Sequence, residues 1–74
     1  MRVNEVISRC RTDQNLFIQC GNMHFEGTAY DIINAEEFRL SKIGHYLVAN
    51  IGVANYSSRS VLYLKAVKVW NYLL

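Results

Sequence analysis

The sequence predicts a mainly β chain. The expected form is a small five-stranded barrel, OB-like or alternatively SH3-like or Sm-like, with one short helix between strands 3 and 4. Three observations carry this prediction. A hairpin signature occupies residues 16–30, a helix-start pattern follows at Asn34–Glu37, and the segments beyond are rich in β-branched and aromatic residues.

The hairpin is the clearest element. Leu16, Ile18 and Cys20 alternate with Phe17 and Gln19, then Gly21-Asn22 intervenes, and Met23, Phe25, Gly27 and Ala29 alternate with His24, Glu26, Thr28 and Tyr30. Two period-2 runs around a Gly-Asn pair form a two-residue hairpin, because glycine accepts the positive φ of such turns. This loop sets Cys20 opposite Met23, Gln19 opposite His24, Ile18 opposite Phe25 and Phe17 opposite Glu26. Paired residues share a face, so one side is dry and the other is polar with aromatic margins.

The remaining elements follow in order. In residues 3–10, Val3, Val6, Ile7 and Cys10 fit helical spacing, while Val6, Ser8 and Cys10 fit a strand. The strand is taken, joined to the next by a loop at Arg11–Asn15, and the helix stays open. Asn34 with Glu37 three residues later is a capping-box pattern, which predicts a short helix over 34–42 ending near Gly44. Leu47, Ala49, Ile51 and Val53 then read as one face of a strand, with Gly52 marking a bulge or bend. Residues 55–60 read as a loop. The last segment, from Val61, reads as a strand, although Leu62, Ala66, Val69 and Leu73 also fit a helix.

Composition bounds the function. The 74 residues make one domain, 1–74, with a small core. At 51% hydrophobic and 19% charged, the chain is globular rather than disordered. A net charge of +2, with no basic run, permits an anionic partner without demanding one. The two cysteines form no disulfide framework, and there is neither a leader-like segment nor an apolar run of membrane-spanning length. A reducing cytoplasm with free thiols is therefore expected, and no membrane partner.

Cys20 and His24 lie on opposite faces of the hairpin, so they cannot chelate one ion; no metal or cofactor is expected. His24 and Glu26 share a face, but nucleophile motifs and phosphate-cradling glycine loops are missing, and the chain is read as non-enzymatic. The expected function is a binding module for RNA or single-stranded DNA. Its surface is the polar hairpin face, Phe17, Gln19, His24, Thr28 and Tyr30, flanked by Arg11 and Arg59. Rings stack on bases and guanidinium groups neutralise phosphate. The alternative is a protein-binding adaptor or inhibitor, of phage or mobile-element type. Residues 61–74 are apolar on both faces, and Trp70, Tyr72, Leu73 and Leu74 would dock a protein target or a second copy in a homo-oligomer.

Overall fold

The structure, a computed structural model, describes residues 1–56 and 59–68. A helix α1 (Val3–Arg9) precedes a hairpin of β1 (Asn15–Cys20) and β2 (Met23–Thr28). Two short helices, α2 (Ala29–Asn34) and α3 (Glu36–Ser41), and a 3₁₀ turn at Ile43–His45 lead to a second hairpin, β3 (Leu47–Tyr56) and β4 (Arg59–Val67). The four strands form one mixed sheet in the order β2-β1-β4-β3.

The hairpin register is the one the sequence predicts, with Cys20 opposite Met23 and Phe17 opposite Glu26. Gly21 takes φ 60 in its turn. The mainly β content also stands. The barrel does not: β4 joins β1 in parallel, with Phe17 beside Tyr63, and the sheet ends at β2 and β3 without closing. The central pair is therefore β1 and β4, which come from opposite halves of the chain.

The first segment is a helix, not a strand. The apolar spacing of Val3, Val6 and Ile7 turns one stripe onto the sheet, and all three are buried. The Glu5 carboxylate accepts the Arg2 backbone N–H at 2.8 Å, which fixes the first turn. Two bonds tie the chain start to β3 and the residue before it: Val3 N–H to the Tyr46 carbonyl, 2.9 Å, and Val48 N–H to the Met1 carbonyl, 2.8 Å.

The predicted 34–42 helix is largely present as α3, Glu36–Ser41, but it starts after Ala35 rather than at an Asn34 cap, and the unpredicted α2 precedes it. Gly27, at φ 149, is the next-to-last residue of β2, and the hydroxyl of Thr28, its last residue, caps a helix starting at Ala29 by accepting the Asp31 N–H at 3.1 Å. Asn34 ends that helix, and Ala35 precedes α3. The alternation through Ala29 and Tyr30 imitated a strand because Ala29 is buried here too, as part of a helical stripe with Ile32. The bulge in β3 falls between Val48 and Asn50, not at Gly52. Residues 55 and 56 extend β3, and Arg59 and Ser60 begin β4, so the expected 55–60 loop is largely strand.

One core lies on one side of the sheet. Leu16, Ile18, Leu64 and Ala66 meet Val3, Val6, Ile7, Ala29, Ile32, Phe38 and Ile43 from the helical layer. Phe25 meets Phe38 edge-to-face at 5.3 Å. No helix of the described residues is long and apolar enough to cross a membrane. The expected docking residues Trp70, Tyr72, Leu73 and Leu74 lie outside the described residues.

Candidate nucleic-acid interface

Strand alternation assigns the opposite side of the sheet. Leu62, Leu64 and Ala66 face the core, so Arg59, Val61, Tyr63 and Lys65 line the other face of β4. The registers set beside them Phe17 and Gln19 of β1, His24 and Glu26 of β2, and Asn50 and Gly52 of β3. All the helical residues of the core lie on the other side, so this face carries no helix among the described residues.

Three rings form a row across it. Phe17 stacks on His24 with centroids 5.3 Å apart and planes 7° apart, and it meets Tyr63 at 5.3 Å with a 41° tilt. The row continues laterally to Gly52, which is the register partner of Tyr63. A Cβ built on Gly52 has nothing within 4 Å. The glycine thus leaves a gap at the end of the row. A shallow cleft of about 180 Å³ occupies this region, lined by Phe17, Gln19, Asn50, Gly52, Tyr63 and Lys65 among others. It offers a π surface, two amides and one ammonium group. That set can stack a planar ring, read donors and acceptors on its edge, and neutralise an anionic neighbour.

The structure unites some of the sequence-predicted site residues and separates others. Phe17, Gln19 and His24 share the face. Arg59 lies on the same side at the start of β4. Thr28 is committed to the cap of α2. Tyr30, 61% exposed, belongs to α2 and donates its backbone N–H to the Thr12 carbonyl, so it sits in the helical layer. Arg11 pairs with Asp13 at 3.3 Å in the loop before β1. That loop does approach the start of β4, because the Gln14 side chain donates to the Ser60 carbonyl at 3.2 Å. Tyr63, Lys65, Asn50 and Gly52 were missed. The alternation of Tyr63 and Lys65 against Leu62, Leu64 and Ala66 was a readable signal, but only the parallel β1–β4 pairing brings them to Phe17.

A second cleft, about 360 Å³, lies in the helical layer between Asn4, Ile33, Phe38, Arg39, Lys42 and His45. Arg39 and Lys42 place cations among its lining residues. Among the described residues no group of three His, Cys, Asp or Glu side chains is placed to hold a metal ion. Both cysteines are free and half-buried. Cys10 donates its thiol to the Val6 carbonyl at 3.3 Å, and burial raises its pKa. A thiol held protonated is a poor nucleophile. Neither a protein-family model, nor a curated protein, nor a solved structure matches the chain.

Proposed function

We propose that the protein is a non-enzymatic binding module for single-stranded nucleic acid, and that the helix-free face of its sheet is the binding surface. The observation that carries this reading is the ring row His24–Phe17–Tyr63 ending in the gap over Gly52. A base lying over Gly52 against Tyr63 adds a fourth ring to the row. Asn50, two residues along the same strand, offers its amide to one edge, and Lys65, its register partner, lies on the flank where a phosphate would run. Arg59 extends the cationic track along β4; it is six residues from Lys65, or about 20 Å at ~3.3 Å per strand residue.

The charge supports stacking as the main term. Lys65 and Arg59 are the cations on this face, and Glu26 opposes them. With one or two phosphates neutralised, the slope of log affinity against log salt is roughly −0.7 to −1.4. Affinity then falls only about three- to sevenfold between 50 and 200 mM salt.

The test is Gly52→Val. Gly52 is exposed, its backbone is extended strand, and a Cβ meets nothing. The substitution therefore keeps the fold, and replacing a strand glycine stabilises it by up to about 1 kcal/mol. The added side chain fills the gap beside Tyr63. Oligonucleotide affinity, measured by fluorescence anisotropy, should fall at least tenfold while the melting temperature holds or rises. Unchanged affinity in a folded Gly52→Val protein would overturn the reading.

A further inference from the structure

We infer that the outer edge of β3 pairs with the same edge of a second copy, making a two-fold dimer with a continuous eight-stranded sheet. This inference stands independently of nucleic-acid binding. β3 is a terminal strand of the sheet, and its ten residues, LVANIGVANY, contain no charged residue and no proline. Such an edge lacks two of the usual devices that block pairing with another chain, charge and proline, and its one bulge lies near its covered start, between Val48 and Asn50. The other terminal strand, β2, carries Glu26. Only the start of β3 is covered, by the bridge from Arg2 to Leu47 and the bond from Val48 to Met1. Residues 49–56 have no partner on that edge among the described residues.

The side chains favour a second copy. Ile51 and Val53 align with Leu64 and Leu62, so they face the helical side of the sheet, yet they stay 47% and 65% exposed; the core takes in Val48 at the start of β3 but neither of these two. An antiparallel edge-to-edge dimer requires a two-fold axis perpendicular to the sheet. That axis keeps the helical layers of both copies on one side. The Ile51 and Val53 side chains of the two copies then meet across the axis and cover each other. An uncharged strand opposes no like charges in any register of this pairing.

The contact is small. Eight residues span about 27 Å at ~3.4 Å each, which places the interface among those of roughly 1,200 Å² or less that associate weakly and reversibly. The axis also places both ring rows on the same side, with the two Gly52 gaps flanking the seam.

The experiment is sedimentation equilibrium of the full chain over a wide concentration range, with Val53→Lys and the milder Asn55→Lys as variants. Both sites are exposed, and a thermal melt checks that each variant folds. The wild type should rise from 8.6 kDa towards twice that mass. At least one folded variant should weaken association tenfold or more, through like charges meeting at the seam. Backbone amides of residues 49–56 should exchange more slowly as wild-type concentration rises. A wild type that stays at monomer mass to about 1 mM would overturn the inference. So would association that both folded variants leave unchanged, which would place the contact elsewhere, as in residues 69–74.

Discussion

Leu64→Ala probes the join between the two hairpins and separates an open sheet from a barrel. Leu64 is 1% exposed, pairs with Ile18 on β1 and Ile51 on β3, and points into the helical layer. Removing its isobutyl group loses transfer free energy and leaves a cavity, at a cost of about 3–5 kcal/mol. A chain of 74 residues has a total stability of roughly 4–11 kcal/mol, at 0.05–0.15 per residue. The variant should therefore melt at least 10 °C lower, taking roughly 4–8 °C per kcal/mol for a domain of this size, and it lies close to unfolding at 37 °C. The control is Val53→Ala, on the same side of the sheet but 65% exposed. In an open sheet this costs less than about 1 kcal/mol, as exposed positions do. In a closed barrel that side would be interior at both positions. Thermal melts followed by circular dichroism, at concentrations where the chain is monomeric, compare the two. Equal losses for Leu64→Ala and Val53→Ala would refute the open sheet with one covered face.

Two further predictions test local structure. Thr28→Ala removes the acceptor for the Asp31 N–H and should cost about 0.5–2 kcal/mol in urea unfolding, whereas Thr28→Ser should restore most of it; equal losses in both would show that the cap bond contributes nothing. The Cys10 thiol, its pKa raised by burial above the ordinary 9.0, gives a pH prediction. Below 9.0 the folded and unfolded chains both hold the proton, and its contribution is complete. As pH rises past 9.0 the unfolded chain ionises first, so stability falls until the folded thiol also ionises. Melts of wild type and Cys10→Ala across this range should show a steeper alkaline decline in the wild type, and parallel curves would contradict the assignment.

The parts of the fold legible in the sequence were those set by neighbours along the chain. The β1–β2 register followed from the Gly21-Asn22 turn and strict alternation, and with it the placement of Phe17, Gln19 and His24 on one face and Cys20 on the other. Residues 3–10 were ambiguous because a seven-residue helix and a short strand place almost the same apolar residues inward. Tertiary burial of Val3, Val6 and Ile7 decides it. The end of β2 was misjudged because Ala29 fits both periods, and the change of conformation rests on Gly27 and Thr28. The parallel joining of β1 to β4 has no local signature at all: it spans some 45 residues and arises from burial of Leu16, Ile18, Leu64 and Ala66 under one helical layer. For that reason the sequence pointed to the aromatic face but not to its Tyr63–Gly52 end.

Mapping where a single strand touches the protein tests whether the helix-free sheet face binds nucleic acid. A single-stranded RNA of about ten nucleotides, within the usual site sizes, is titrated into isotopically labelled protein, and backbone amide shifts are followed by NMR. Shifts are expected to concentrate at Phe17, Gln19, His24, Asn50, Gly52, Tyr63 and Lys65, with α2, α3 and the cleft at Arg39 and Lys42 unmoved. Shifts confined to the helical layer, or none at about 100 μM protein and low salt, would contradict that expectation.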